Sequence, residues 1–531
     1  MGILSKLRNK EIIRLDGGMG TMLQKAGLKT GQNPETLNIL HPEVVKGVHS
    51  AYFAAGSQIV YTNTFGANAH KLARTGYTVE EIVTAAVKIA REAAEPYGGM
   101  VGLDIGPLGE LLEPMGMLSF DDAYELFAEQ VRAGVKAGVD MIAIETMTDL
   151  YEAKAALLAV KENSDLPVFV TMSFEQDGRT FTGTSISAMA LTMEGLGADA
   201  IGINCSLGPI QIYDIVKKLL PWTSLPIIVK PNAGLPVTKD GVTTYDITPE
   251  QFGQEMAKFL DLGVTIMGGC CGTNPDYIRF LGENIAGKKA DFSLRSEAVP
   301  AAVCTNIVTL PVDGVHVIGN QIGNDASLAE GLQEEDLEAL IDLATAQDEA
   351  GAAILSVNVA VPSVDEAEMM ASAVKEIQSY TNVPLLIDSA DPEAAEAGLR
   401  HYNGKAILGS VTGEDAVLER MLPLVKKFGC AVAALTKDEN GIPDTAEERA
   451  AIAKKILARA ESLRIPARDL YIDCGDETAE TLRAIPMIKE LGLKTVLHVS
   501  DAAFLQEALS AGLNLPVLDP EDASLMAAVE N

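Results

Sequence analysis

The sequence has no run of about 18 apolar residues, the length a helix needs to cross a bilayer, so no membrane partner is expected. It opens without a charged-then-apolar leader ending in a small-residue cleavage site. Met1-Gly2-Ile3-Leu4-Ser5-Lys6 carries the glycine of a myristoylation signal but has Lys6 where Ser or Thr is required. These absences lead to the expectation of a soluble cytoplasmic protein. Positive charge is scarce as well: 41 Lys and Arg against 74 Asp and Glu leave a formal net charge of −33. Such a surface repels nucleic acid and anionic membranes and disfavours both as partners. Cysteine is sparse, six in 531 residues, with Cys304, Cys430 and Cys474 in no evident pairing. That usage suits a reducing compartment rather than a disulfide scaffold.

The rest of the composition, 47% hydrophobic and 22% charged, is that of globular protein rather than disorder. A chain of 531 residues exceeds one core, so two domains of roughly 250 residues each are expected. Up to about residue 290, short apolar runs alternate with helix-length amphipathic stretches. The strand candidates are Ile12 to Leu15, Gln58 to Thr62, Val101 to Leu103, Met141 to Ile144, Val168 to Met172, Ala200 to Asn204, Ile227 to Lys230 and Val264 to Met267. Helical periodicity marks Asp121 to Ala137 and Pro249 to Leu262. Eight strand and helix alternations describe a (β/α)8 barrel, whose reactive groups gather at the C-terminal strand ends. Those ends are followed by Asp16-Gly17-Gly18-Met19-Gly20, Glu145-Thr146, Cys205-Ser206, Pro231-Asn232-Ala233-Gly234 and Gly268 to Gly272, among others.

Residues 291–305, with charge, Pro and Ala but no clear period, read as a linker. A second eightfold alternation fills 306–531, with strand candidates at Val315 to Ile318, Ala353 to Val357, Pro384 to Ile387, Ala406 to Leu408, Ala431 to Leu435, Leu470 to Ile472, Thr495 to His498 and Leu515 to Leu518. Helices are expected over Glu334 to Ala350 and Thr445 to Leu463. The fold class is therefore α/β, two TIM barrels in tandem.

Within the first barrel, Gly268-Gly269-Cys270-Cys271-Gly272-Thr273 and Asn204-Cys205-Ser206 each end an apolar run. Neighbouring residues on a strand point to opposite faces, so Cys270 and Cys271 reach one point only where glycine breaks the strand. Three thiols converging at the mouth of a closed barrel are a soft zinc site with one position open. The alternative is that each cysteine is a small buried hydrophobe. Asp16 has an alternative too, that of capping the following helix.

Taken together, Asp16-Gly17-Gly18-Met19-Gly20-Thr21, Glu145-Thr146, Asn204-Cys205-Ser206, Pro231-Asn232-Ala233-Gly234 and Gly268 to Thr273 resemble the homocysteine S-methyltransferase family over about the first 290 residues. The resemblance implies zinc on Cys205, Cys270 and Cys271, homocysteine as substrate with Asp16 and Glu145 facing its amino group, and Asn232 near the metal. A free thiol is mostly protonated at neutral pH, and coordination to zinc removes that proton, making the sulfur a nucleophile for a methyl group. The expected product is methionine.

Asn358, Asp388, Ser410 and Asp473 follow or end strands of the second barrel, and carboxylates suit the paired N–H donors of a pterin edge. Order and context resemble the pterin-binding barrel of the cobalamin-dependent methionine synthase and dihydropteroate synthase families, although helix capping by Asp388 and Asp473 stays open. The family's Ile-Gly-Glu-Arg-Thr-Asn is Ile318-Gly319-Asn320-Gln321-Ile322-Gly323 here, and Gly409 and Asp501 stand where asparagines are expected. The tandem arrangement implies methylcobalamin on a separate corrinoid protein as methyl donor and methyltetrahydrofolate as its source. The alternatives are a small donor such as S-methylmethionine or betaine, and a second barrel that only docks a partner.

Overall fold

The computed structural model describes residues 2–29, 31–239, 242–296, 298–323 and 328–530. The chain divides into two units, Met1–Val299 and Pro300–Asn531. In the first, β1 (Ile13–Arg14), β2 (Ile59–Tyr61), β3 (Met100–Ile105), β4 (Met141–Met147), β5 (Val168–Met172), β6 (Ala200–Asn204) and β7 (Ile227–Lys230) precede a hairpin of β8 (Pro236–Lys239) and β9 (Val242–Tyr245) and a last short strand, β10 (Ile266–Met267). The parallel order is β1-β10-β7-β6-β5-β4-β3-β2. The ring closes between β1 and β2 where the Gln58 amide donates to Arg14 O at 2.8 Å. The Tyr61 amide donates to Asp16 Oδ2 at 2.7 Å and takes part in the same closure.

These strands are buried on both faces, as apolar runs of a parallel sheet covered by helices must be. Alternate residues point into the barrel, so that Ile13, Ile59, Met141, Phe169, Ala200 and Ile266 belong to one core. The helices outside begin where a side chain satisfies their free amides. Ser119 caps Phe120–Ala137, which ends at left-handed Gly138. Thr78 and Glu81 form a capping box on Val79–Ala94. The helix expected over Pro249 to Leu262 is an α-helix, Pro249–Ala257, that tightens into a 3-10 turn, Lys258–Leu262.

The second unit begins with β11 (Ala302–Thr305) and β12 (Thr309–Pro311), followed by β13 (Ile318–Gly319), β14 (Ile354–Val357) and β15 (Leu385–Asp388). Its remaining strands are β16 (Gly404–Lys405), β17 (Ile407–Thr412), β18 (Ala431–Leu435), β19 (Leu470–Asp473), β20 (Lys494–His498) and β21 (Leu515–Leu518). Strands β13-β14-β15-β17-β18-β19-β20-β21 form a closed barrel, and β12-β11-β16 a small antiparallel sheet. Val303 of that sheet joins the barrel core of Ile318, Ile354, Leu386, Ile407 and Val496. The final residues of the segment expected as a linker thus belong to the second unit. The helix expected from Glu334 is interrupted: Leu328–Gln333 stops before Glu335, which is left-handed, and Glu338–Glu349 starts anew with its first amide bonded to the Asp336 carboxylate. Both barrels are therefore present with the expected eight strands, and the fold is α/β.

Candidate metal centre and substrate pocket

Three cysteine sulfurs meet at the C-terminal mouth of the first barrel. The Sγ atoms of Cys205, Cys270 and Cys271 all lie within 4.8 Å of one another, and Cys205 and Cys271 are 3.9 Å apart. Sulfurs bonded to tetrahedral zinc at about 2.3 Å stand about 3.8 Å apart, so the spacing fits that ion. Strand β10 ends at Met267, and the chain turns through Gly268 and Gly269 so that both adjacent cysteines face the same point. The Cys270 amide donates to Pro231 O at 2.8 Å and the Ala233 amide to Cys271 O at 3.0 Å. Asn232 is thereby held against both cysteines, and its buried Oδ1 has no hydrogen-bond partner among the described residues.

The local backbone is under constraint. Cys205 and Ser206 both adopt left-handed conformations, as does Thr146 across the mouth. The Asn204 side chain joins them: its Oδ1 accepts from the Thr146 amide at 2.9 Å and its Nδ2 donates to Thr146 Oγ1 at 2.7 Å. Thr146 lies in a bulge where β4 shifts register against β5 between Ile144 and Met147, and the bulge turns Glu145 into the mouth. Gly18 must be glycine for a packing reason, since a Cβ there would stand 2.8 Å from Cys270 O.

In the same cavity of about 250 Å³, lined by the three cysteines, lie Asp16, Glu145, Asp104 and Lys230. Lys230, which the sequence reading passed over as the last residue of a strand, reaches Glu145 Oε2 at 2.9 Å and Asp16 Oδ1 at 3.4 Å, with its ammonium 3.9 Å from the centre of the Tyr61 ring. Burial works against its charge, but Glu145 and Asp16 outweigh burial and raise its pKa well above the ordinary lysine value. Burial lifts the Asp16 carboxyl to about 6 against the pull of Lys230. Neither acid is a helix cap: Gly18 stands at the N-cap of Met19–Lys25 and Asp149 caps Leu150–Asn163. Hydrogen bonds with Cys205 and Cys271 push the Cys270 thiol well up, so three thiolates together require a cation between them. The donor set and its spacing fit zinc.

The second barrel has its own mouth, a cavity of about 480 Å³ lined by Asp388, Ser410, Asp473 and His498 among others. Ser410 Oγ donates to Asp388 Oδ1 at 2.6 Å and Asn358 Nδ2 to Asp388 Oδ2 at 3.3 Å. Asp473 accepts from the Gly475 amide at 2.9 Å, and burial lifts its carboxyl to about 6 although His498 stands 4.0 Å away. Asp391 and Thr478 cap the helices that follow, which removes the capping reading for Asp388 and Asp473. Asp501, by contrast, is a helix cap. A Cβ at Gly409 would lie 2.6 Å from Leu386 Cδ2, so the wall has closed over one of the missing amide positions.

A thiol cluster facing carboxylates on one barrel, followed by a second barrel with an acidic mouth, defines a class before it defines a member. Residues 13–285 match the homocysteine S-methyltransferase family and residues 322–523 the pterin binding enzymes. The first match covers slightly more than half of the chain, which belongs to the homocysteine S-methyltransferase family and is a methyltransferase. It is 29% identical over 561 aligned residues to the methionine synthase of Mycobacterium tuberculosis, a match covering 95% of this chain and 47% of that protein. The methionine synthase of Mycobacterium leprae is 28% identical with the same coverage. The chain spans about half the length of these curated relatives. The oxidized form of the homocysteine methyltransferase MmuM from Escherichia coli is 24% identical with a TM-score of 0.47, over 53% of this chain and 98% of that one. A dihydropteroate synthase from Xanthomonas albilineans is 19% identical with a TM-score of 0.35, over 42% and 94%.

Proposed function

We propose that this chain transfers a methyl group to the thiol of L-homocysteine, giving L-methionine, with zinc held by Cys205, Cys270 and Cys271. The methyl group comes from methylcobalamin on a separate corrinoid protein and ultimately from methyltetrahydrofolate taken up by the second barrel. The observation that carries the reading is the convergence of three cysteine sulfurs on the cavity that also holds Asp16, Glu145 and Lys230. Bound zinc would supply a Lewis acid that strips the substrate thiol of its proton at neutral pH.

The chain's own groups do the rest. The cysteines fix where the substrate sulfur stops, and Asn232 Oδ1 offers an oxygen beside them before substrate arrives. Asp16, Glu145 and Lys230 hold fixed charges in the same cavity for the amino-acid end of the substrate, so that binding there aims the thiol at the methyl group. In the transfer the sulfur–carbon bond forms as the bond from methyl to its carrier breaks, and the thiol proton goes to solvent. In the second barrel, Asp388 already receives Ser410 and Asn358 on its two oxygens. That observation favours a second reading for this half alone, a docking module that binds no pterin.

Zinc content of carefully reduced protein and methionine formation from free methylcobalamin test the proposal, with Cys271→Ala alongside. We expect about one zinc per chain and turnover, both lost in the variant. Reduced protein that holds no zinc overturns the mechanism.

A further inference from the structure

The other end of the first barrel holds a larger cavity, of about 700 Å³, bordered by the chain that enters β1, by Gln58 before β2 and by the residues that follow the helix Pro275–Ile285. Four cations line it, Lys10, Arg14, Lys288 and Lys289, against one acid, Glu11. The chain as a whole runs the other way, with 74 acidic residues to 41 basic. Glu11 is already engaged: Lys6 Nζ donates to its Oε2 and Asn9 Nδ2 to its Oε1, both at 3.2 Å. None of the four cations makes an ion pair among the described residues.

Arg14 is placed there by the fold. Its amide donates to Gln58 Oε1 at 3.0 Å and its carbonyl accepts from the Gln58 amide at 2.8 Å. The guanidinium passes through a slot left open by two glycines, since a Cβ on Gly56 or Gly282 would stand 2.9 or 2.5 Å from its Nη1. The residue is half-buried, and its guanidinium meets no acceptor among the described residues. Lys10 is fixed as well, with a left-handed backbone and its ammonium 4.1 Å from the centre of the Phe292 ring. A rigid fork of N–H donors left without an acceptor, among other cations, matches the oxygens of an arriving anion. We infer that this cavity binds a small anion carrying two or more phosphate groups, with Arg14 forked on one phosphate and the lysines offsetting the remaining charge. A single phosphate, at a charge of about −2, would leave the four cations uncompensated. The volume also exceeds one phosphate and falls within the usual range of small-molecule sites. Reactive groups of a TIM barrel gather at its opposite end, so the anion is held here and not converted. The cavity shares no residue with the one that holds the cysteines, and the inference stands apart from the homocysteine reading.

Calorimetric titration of the intact chain with inorganic pyrophosphate and with ATP, at constant ionic strength, tests the inference. Saturable binding at one site per chain is expected, and Arg14→Gln should weaken it roughly ten- to hundredfold, the worth of charge-assisted hydrogen bonds. The double variant Lys288→Gln, Lys289→Gln changes two exposed side chains and reads the same comparison if Arg14→Gln does not fold; it should weaken binding about tenfold. Tighter binding of ATP than of pyrophosphate would identify a nucleotide as the ligand class, and equal binding would identify the free polyphosphate. No saturable binding of either probe overturns the inference. So does binding that both variants keep at wild-type strength, which would place the anion elsewhere on the chain.

Discussion

Lys230 governs how the acids around it behave. It is 3% exposed on its side chain, as are its partners to a similar degree, 4% for Asp16 and 11% for Glu145. Lys230→Met would leave two carboxylates buried without their cation, a loss of about 3 to 5 kcal/mol in the usual range for broken buried pairs. Asp16 sets the pH dependence of that loss. Its folded value of about 6 lies above the ordinary 3.8, so its contribution to stability is full below the ordinary value and is lost as pH rises through about 6. Urea unfolding of Lys230→Met should therefore show the larger deficit at pH 8 and a smaller one at pH 5. Glu152 offers a cleaner titration, away from the cysteines. Burial raises its carboxyl to about 7 while the Leu108 amide bonds its Oε1 at 2.6 Å. Its contribution is likewise present below the ordinary glutamate value and lost as pH rises through about 7. Glu152→Gln keeps the acceptor and removes the ionisation, so relative to wild type it should gain up to about 3 kcal/mol between pH 5 and pH 8. An equal effect at both pH values would place the worth of Glu152 in packing alone.

At the scale of elements, both barrels use the same device. The fourth strand of each barrel, β4 and β17, shifts register near its C-terminal end, and a hydroxyl residue, Thr146 or Ser410, takes the left-handed conformation there. A left-handed β-branched residue is strained by about 1 to 2 kcal/mol, and in the first barrel the Asn204 side chain holds it in place from β6. Asn204→Ala should release the bulge, swing Glu145 away and loosen the neighbouring Cys205. Competition with a chelator should show zinc affinity reduced about ten- to hundredfold, the usual cost of removing a group that orients ligands. Strand positions were legible because parallel strands are continuous apolar runs, and the cysteine loops because glycine flanks them. The bulge at Glu145-Thr146 was not, since neither residue carries turn chemistry that announces a register shift, whereas Gly409 at the end of its strand is the kind of residue that marks one. Lys230 was hidden for a related reason: a lysine closing Ile227-Ile228-Val229 reads as the point where a strand meets solvent. The hairpin β8 and β9 was missed because it interrupts the loop before the last barrel strand, whose alternation with helices had already been accounted for.

For the molecule as a whole, the two eightfold alternations made the tandem barrels readable, while the small sheet β12-β11-β16 moved the start of the second unit to Pro300. Each unit closes its own ring of parallel strands around its own apolar core, and a core of that kind is what lets a segment fold alone. Residues 1–299 and 300–531, produced separately, should each unfold in a cooperative transition. The division also separates the two chemistries. All three sulfurs of the thiol cluster belong to the first unit, and Asn358, Asp388, Ser410 and Asp473 to the second. Zinc should therefore remain with 1–299 at the stoichiometry of the intact chain. Any binding of methyltetrahydrofolate, measured by calorimetry, should follow 300–531 and fall when Asp473→Asn removes the buried carboxyl. Binding to neither the intact chain nor the isolated second unit would leave that barrel as a docking module, with the hydrogen bonds on Asp388 serving the fold instead of a pterin. Zinc bound only by the intact chain would mean that residues 1–299 do not form the site when produced separately.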